Sequence, residues 1–199
     1  DKPVFTFPTI ASNCAACTSV SIMYNDDGTF LKPNFFVRPA MHAFIDTEII
    51  TKAPVQYMWA GIGDTYAKYY EATISSRNER LEHFTSLGVA LSVMCRDPLL
   101  EYGVKALADH RQGLCTYDVE QIVLAIVVTT GIASIFLTKD FTPDYNSGLA
   151  HAIFYALTSY PVIEERHLHG EVVGFGVLFA LLVDDQYDEF EKIYTLNKQ

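Results

Sequence analysis

Three residues of this sequence carry side chains that together could hold a divalent metal ion. Asp64 follows Gly61-Ile-Gly63, His151 lies in a small apolar stretch, and His169 is followed directly by Gly170-Glu171. Catalytic zinc sites commonly use three protein ligands with nitrogen and oxygen donors and leave one position open. Two imidazoles and one carboxylate fit that number and those donor types. The sequence therefore predicts a candidate metal site.

Each of these residues also has an ordinary structural explanation. Asp64 could cap a helix, since a carboxylate at a helix start accepts hydrogen bonds from free backbone N–H groups. His151, with Ala, Leu and Ile as neighbours, could be a core histidine with an internal hydrogen-bond partner. His169 could lie at the surface near a turn, and His167 competes with it as a ligand. Spacing alone therefore leaves the metal hypothesis open.

The composition fits a protein with one good hydrophobic core. The chain has 199 residues, 50% of them hydrophobic, and a formal net charge of −10 at pH 7,. Because so acidic a protein repels nucleic acid and anionic lipid, we expect neither as a partner. Two apolar runs, 122–137 and 172–183, are shorter than the roughly 20 residues of a membrane span. We therefore expect them to be buried core helices, and we expect no membrane partner.

The cysteines and the first residues bear on cellular location. The four cysteines are loosely spaced for a chain this long, at Cys14, Cys17, Cys95 and Cys115. This pattern indicates reduced thiols and not a disulfide framework. Cys14-x-x-Cys17 could form a redox or zinc pair, but a second pair is lacking. No signal peptide is visible and the first residue is not Met,, so we expect a cytoplasmic protein whose chain starts inside a longer parent.

The elements that must position these side chains change in character near residue 50. The extended patterns before it are 4–7, 19–24, 29–37 and 43–45. The turn Asn25-Asp-Asp-Gly28 joins the middle two into a hairpin. After residue 50 the pattern is helical, with Thr51 as a cap and breaks at Gly61-Ile-Gly63 and Pro98. The later helices are expected over 64–75, 84–107, 117–137, 147–159, 169–183 and 188–196.

Six short motifs occur in an order that is similar to one known superfamily. From the N-terminus they are Pro8-Thr-Ile-Ala-Ser12, Val20-Ser-Ile-Met-Tyr24, Ile45-Asp-Thr-Glu-Ile-Ile50, Lys52-Ala-Pro54, Ala60-Gly-Ile-Gly-Asp64 and His169-Gly-Glu171. Together they resemble the iron-containing (group III) alcohol dehydrogenase superfamily, specifically its glycerol dehydrogenase-like branch. The resemblance implies Asp64, His151 and His169 as metal ligands, with zinc as the metal and iron as the alternative. It also selects His169 over His167.

The resemblance implies an α+β, dehydroquinate synthase-like fold in two parts. Residues 1–50 would be the C-terminal, β-rich remnant of a Rossmann-like nucleotide-binding domain. Residues 51–199 would be an all-α helical metal-binding domain, truncated at its C-terminus. The positions that match NAD(P)-contacting residues of the family are Thr9, Ser12, Val20 and Tyr24. Cys14 matches a substrate-recognising position, and a homo-oligomer is expected.

Three departures from the family pattern bear on activity. The glycine-rich pyrophosphate loop is not found in this sequence and would lie upstream of it. Cys14 stands where glycerol dehydrogenases usually carry an Asp, and Asn13-Cys14-Ala-Ala-Cys17 resembles relatives that act on 2-hydroxy or 2-oxo acids. Phe154 stands where the family often has a second histidine, and the spacing of Gly148-Leu-Ala-His151 is shorter than the family's.

The activity implied by the resemblance is hydride transfer between NAD(P) and a secondary alcohol, either a polyol or a 2-hydroxy acid. The metal would act as a Lewis acid on the substrate oxygen, while the cofactor carries the redox chemistry. The alternative is a metal-binding fragment or paralogue without turnover, because the phosphate loop is missing. A sister activity, dehydroquinate synthase or glycerol-1-phosphate dehydrogenase, would need basic phosphate-binding residues, and few lie near the proposed site.

Overall fold

The N-terminal strands form two small sheets in the computed structural model, which describes residues 2–26, 30–139 and 145–199. The strands are β1 (Phe5–Thr6), β2 (Val20–Tyr24), β3 (Phe30–Phe35) and β4 (His42–Ala43). β1 pairs in parallel with β4, and β2 pairs with β3 in antiparallel fashion, with Val20 opposite Phe35. The predicted hairpin is therefore confirmed, although its predicted turn at 25–28 lies partly outside the described residues.

Helices follow from residue 47 onward. Their bounds are α1 (Thr47–Ile50), α2 (Val55–Ser75), α3 (His83–Ser92), α4 (Asp97–Arg111), α5 (Tyr117–Leu124), α6 (Thr130–Phe136), α7 (Leu149–Leu157), α8 (Pro161–Glu164), α9 (His169–Val183) and α10 (Tyr187–Asn197). A 3-10 turn (Val93–Cys95) joins α3 to α4, and a π-helical turn (Ala125–Thr129) joins α5 to α6. The α+β fold class is confirmed, and the domain division at residue 50 stays a prediction.

The predicted helix break at Gly61-Ile-Gly63 is wrong, because α2 runs through all three residues. These glycines serve close packing and do not end the helix. A Cβ added to Gly61 would lie 2.3 Å from the carbonyl oxygen of Ala11, and one added to Gly63 would lie 2.2 Å from that of Gly170. A glycine in the middle of a helix lowers the stability of the helix by about 1 kcal/mol relative to alanine. Here the two glycines allow close main-chain contacts that any side chain would prevent.

The sequence also predicted a helix break at Pro98 and a helix cap at Thr51, and the structure confirms only the first. Pro98 lies in the first turn of α4, so the expected break there is confirmed,. Thr51 is not the cap of α2, because it ends the separate short helix α1 and its hydroxyl donates to the carbonyl of Glu48 at 3.0 Å. Asp46 caps α1 instead, accepting from the backbone N–H of Glu48 at 3.0 Å,. The prediction missed α1 and therefore placed the start of α2 too early.

The apolar helical stretch from α5 to α6 crosses the centre of the helical core. By length and composition alone, Tyr117–Phe136 could span a membrane, yet 56% of its most apolar window is buried by the rest of the protein. The fully buried side chains of this stretch include Val119, Ile122, Val123, Ile126 and Val127. Such burial is typical of a core helix, as the sequence predicted.

α10 is joined to the ends of α2 and α4 by a cluster of polar side chains. The Arg96 guanidinium lies 2.6 Å from the Glu189 carboxylate, and the Tyr70 hydroxyl donates to the same carboxylate at 2.7 Å. Burial alone would raise the pKa of Glu189, but hydrogen bonds from Lys192, Tyr70 and Arg96 hold it at about 2. The charged pair therefore joins the start of α4 to α10, and the Tyr70 hydroxyl attaches α2 to the same carboxylate.

Candidate metal centre

α2 and α9 cross at glycines that lie directly beside two of the predicted ligands. Gly63 precedes Asp64 on α2, and Gly170 follows His169 on α9. A Cβ added to Gly170 would lie 1.8 Å from the carbonyl oxygen of Ala60. Backbone therefore touches backbone at this crossing, an approach that only glycine allows. The crossing brings the side chains of Asp64 and His169 to one place.

The third predicted ligand reaches the same place from α7. His151 Nε2 lies 3.7 Å from Asp64 Oδ1, and His169 Nε2 lies 3.4 Å from the same oxygen. The three potential ligand atoms all lie within 4.8 Å of one another. Zinc bonds to nitrogen and oxygen of 2.0–2.2 Å place tetrahedral ligand atoms roughly 3.4 Å apart. The donor types and the two oxygen–nitrogen distances therefore fit a divalent metal ion such as zinc.

The cluster is buried on one side and open on the other. The side chains of Asp64 and His151 are only 14% and 12% exposed, whereas that of His169 is 46% exposed. A catalytic ion needs a position that a substrate can reach, and the exposed side of His169 offers such access.

The charges of the three residues support one another. Burial alone would raise the pKa of the Asp64 carboxyl, but the hydrogen bond and charge of His169, with the charges of His151 and Lys68, hold it well below its usual range. Desolvation alone would lower the pKa of His169, but its hydrogen bond and charge interaction with Asp64 raise it. Asp64 is thus a permanent carboxylate near neutral pH, which is the form that binds a metal.

Two further charged residues of α2, which the sequence reasoning missed, lie next to the cluster. Lys68 is 7% exposed and Glu71 is 3% exposed. The Lys68 ammonium donates to the carbonyl oxygen of Asn146 at 2.6 Å, just before α7. Glu71 accepts hydrogen bonds from the start of α7, including one at 2.6 Å from Nδ1 of His151. A signal was present, because residues 64, 68 and 71 lie four and seven apart and share one helix face.

The comparison of His167 with His169 has a clear structural outcome. His167 precedes α9, is exposed and lies 3.0 Å from the Glu171 carboxylate through Nδ1. His169 is the first residue of α9 and belongs to the cluster with Asp64. Phe154 packs edge-on against the His169 ring, with 4.3 Å between ring centroids. Phe154 is therefore an apolar neighbour of this cluster.

Cys14, the predicted substrate residue, lies close enough to the cluster to interact with Asp64. Burial, with the negative charge of Asp64, raises the pKa of the Cys14 thiol to about 12, against opposing effects of Lys68 and Ser134. Cys14 is therefore a neutral thiol near neutral pH. None of the four cysteines forms a disulfide.

The residues predicted to contact a nicotinamide cofactor lie on the N-terminal strands and the turn that follows β1. Thr9 is exposed and Ser12 half-buried in that turn, which packs against α2 through Ala11 at Gly61. Val20 and Tyr24 begin and end β2. The structure thus places the turn beside α2, one helical turn before Asp64, and the cofactor role of all four residues stays a prediction.

Curated proteins with similar sequences include several named dehydrogenases. The chain is 35% identical to the glycerol dehydrogenase of Thermotoga maritima over 204 residues, covering 98% of this chain and 52% of that protein. It is 38% identical over 186 residues to hydroxycarboxylate dehydrogenase A of Escherichia coli K12, covering 92% of this chain and 50% of that protein. The chain thus spans about half the length of these relatives. No family model matches it.

Solved structures of the same kind superpose on nearly the whole chain. Glycerol dehydrogenase from Schizosaccharomyces pombe matches with a TM-score of 0.80 at 30% identity, over 98% of this chain and 49% of that one. An iron-containing alcohol dehydrogenase from Thermotoga maritima has the same fold, with a TM-score of 0.62 at 20% identity over 98% of this chain and 47% of that one. The chain is therefore similar in sequence to glycerol dehydrogenases over about half of their length and shares the fold of the matching part of an iron-containing alcohol dehydrogenase.

Proposed function

We propose that this chain forms the metal-binding part of an NAD(P)-linked dehydrogenase that acts on a secondary alcohol. The observation that carries the proposal is the convergence of Asp64, His151 and His169, whose ligand atoms lie within 4.8 Å of one another. Homology to named dehydrogenases over 98% of the chain supports the reaction type. The predicted homo-oligomer and cytoplasmic location fit this proposal and are not needed for it.

In this proposal, Asp64 supplies negative charge to the ion and the two histidines supply neutral nitrogen donors. Zinc is the proposed metal and iron the alternative, because two imidazoles and one carboxylate suit either ion. A metal bound there would supply Lewis acidity toward an alcohol or carbonyl oxygen. Phe154 packs against one side of the His169 ring. The turn containing Thr9 and Ser12 would hold the nicotinamide beside the alcohol carbon.

The proposed substrate is a polyol or a 2-hydroxy acid. The relatives named glycerol dehydrogenase and hydroxycarboxylate dehydrogenase A are 35% and 38% identical to this chain. Cys14 offers a neutral thiol, not a carboxylate, at the predicted substrate position, because its pKa is raised to about 12. A neutral side chain there does not repel the carboxylate of a 2-hydroxy acid, which favours that class over glycerol.

The proposed reaction is tested by a substrate panel on the full-length protein. Polyols with NAD(P), and 2-oxo acids with NAD(P)H, are assayed before chelation, after removal of metal, and after addition of zinc or iron. We expect activity to disappear with the metal and to return with one of the two ions. Full activity in protein shown by elemental analysis to be metal-free would contradict the proposal.

A second candidate function, for the 199-residue chain by itself, is metal binding without turnover. It is favoured by the lack of a glycine-rich phosphate loop in the sequence,. The two candidates differ in NADH affinity, which a fluorescence titration measures. Tight NADH binding by this chain alone would exclude the second candidate.

Zinc affinity should fall on acidification, beginning above the ordinary histidine pKa of about 6.5. Zinc binds only the neutral imidazole, and the pKa of His169 is raised by its hydrogen bond and charge interaction with Asp64, which outweigh desolvation. Protons therefore compete for His169 at a higher pH than for an ordinary histidine, while Asp64 stays ionised. Competition with a chromophoric chelator at pH 6, 7 and 8 measures this trend. An affinity that stays constant across that range would contradict it.

A further inference from the structure

Glu71 is a buried carboxylate whose hydrogen bonds go to the start of α7. Its side chain is 2% exposed. Oε1 accepts the backbone N–H groups of Gly148 at 2.8 Å and of His151 at 3.0 Å, and Oε2 lies 2.6 Å from Nδ1 of the His151 ring. Three donors of one short segment thus converge on one side chain of α2.

This arrangement determines which nitrogen of His151 carries the proton. A carboxylate only accepts hydrogen bonds, whereas a neutral imidazole has one donor nitrogen and one acceptor nitrogen. The nitrogen facing Glu71 must therefore be the donor, which leaves the lone pair on Nε2. That nitrogen points toward the cluster, 3.7 Å from Asp64 Oδ1.

We propose that Glu71 is the positioning residue of the metal site, which fixes His151 in the tautomer with a proton on Nδ1 and so offers Nε2 to the metal. The inference rests on the proposed metal site and adds a residue that is not itself a ligand. Metal-binding histidines commonly donate their other N–H to such an acceptor, which sets both ring orientation and ligand basicity.

The two oxygens of Glu71 have separate tasks, and this makes the proposal testable. Oε1 satisfies backbone N–H groups that would otherwise be unpaired at the start of α7,. Oε2 faces only the His151 ring among the hydrogen bonds of the described residues. A purely structural role for Glu71 would need only the hydrogen bonds from the backbone to Oε1. Positioning of His151 needs the hydrogen bond from its ring to Oε2.

The variant Glu71→Gln separates these tasks, because an amide has one acceptor oxygen and one donor NH2 group. If its oxygen keeps the two backbone N–H groups, its NH2 group donates to Nδ1 of His151 and moves the ring proton to Nε2. The reverse orientation leaves two buried backbone N–H groups facing another donor, which is unfavourable because neither group is then hydrogen-bonded. We therefore expect the variant to fold with the wrong His151 tautomer. Glu191→Gln, on the exposed side of α10, is the matched control.

Two measurements test the proposal. Long-range proton–nitrogen NMR of the metal-free chain near pH 9 should show the Nδ1–H tautomer of His151 in wild type and in Glu191→Gln, and the Nε2–H tautomer in Glu71→Gln. Zinc affinity, measured by chelator competition, should fall about 10- to 100-fold in Glu71→Gln and stay unchanged in Glu191→Gln. A wild-type Nε2–H tautomer would overturn the inference even if Glu71→Gln failed to fold.

The outcomes for this inference and for the proposed function are distinct. If wild type binds no zinc, the proposed metal site fails, while the tautomer of the metal-free chain still decides whether Glu71 orients His151. If wild type binds zinc and Glu71→Gln keeps both full affinity and the Nδ1–H tautomer, the role of Glu71 is overturned and the metal site stands.

Discussion

His169→Ala should reduce the zinc content from about one ion per chain to near zero, since it removes one of only three proposed protein ligands. His167→Ala should leave the zinc content unchanged. The two histidines are two positions apart, but only the Nε2 of His169 lies within 3.4 Å of Asp64 Oδ1. Elemental analysis of dialysed protein measures this difference directly, and circular dichroism shows whether each variant is folded.

The contrast between the two histidine variants decides the ligand assignment. Retention of stoichiometric zinc in both His169→Ala and His151→Ala would refute the proposed ligand set. Loss of zinc in His167→Ala, with retention in His169→Ala, would restore the alternative that the sequence left open.

Gly170→Ala should lower the free energy of unfolding by more than about 4 kcal/mol, or prevent folding altogether. The added Cβ would lie 1.8 Å from the Ala60 carbonyl oxygen, and a backbone atom inside a helix cannot move aside as the end of a side chain can. The crossing of α2 and α9 must therefore open, and with it the contact between Asp64 and His169. Urea denaturation of the metal-free chain measures the effect.

Gly103→Ala is the matched control, because Gly103 is also a buried glycine inside a helix. Its added Cβ would meet Leu196 Cδ1 at 3.1 Å, which is the end of a flexible side chain. Alanine also gains up to about 1 kcal/mol of helix propensity, so we expect a change within about 1 kcal/mol. Equal free energies of unfolding for Gly170→Ala and Gly103→Ala would show that α2 and α9 leave room for a Cβ at residue 170, which contradicts this prediction.

The sequence predicted which three side chains come together better than it predicted the helices that carry them, and their role as metal ligands stays a prediction. Asp64 was placed at a helix start, yet it lies in the middle of α2. The error has a physical origin, because local propensity treats Gly61 and Gly63 as breaks, whereas tertiary contacts with Ala11 and Gly170 use them for close packing. The order of motifs did not depend on that boundary, so the ligand prediction was unaffected by it.

Glu71 shows what the sequence could not supply. The acceptor of the His151 ring N–H could not be identified from the sequence, because it lies 80 positions away on another helix. Its place seven residues after Asp64, inside the helix predicted over 64–75, puts it on the same helix face as Asp64,. That spacing does not show that His151 docks there. The helical fold followed from periodicity alone, whereas this contact depends on how α7 docks on α2.

The contact between Ala11 and Gly61 has a consequence for how such a protein can evolve. The turn with Thr9 and Ser12 meets α2 through main-chain atoms, since a Cβ on Gly61 would lie 2.3 Å from the Ala11 oxygen. Main-chain atoms therefore set the distance between this turn and Asp64. A change of side chain for a new substrate would not alter that distance. Cys14, the predicted substrate residue, lies three positions further along, and its side chain takes no part in this main-chain contact. If Cys14 contacts the substrate as proposed, an exchange there would change substrate preference without changing how the turn meets α2.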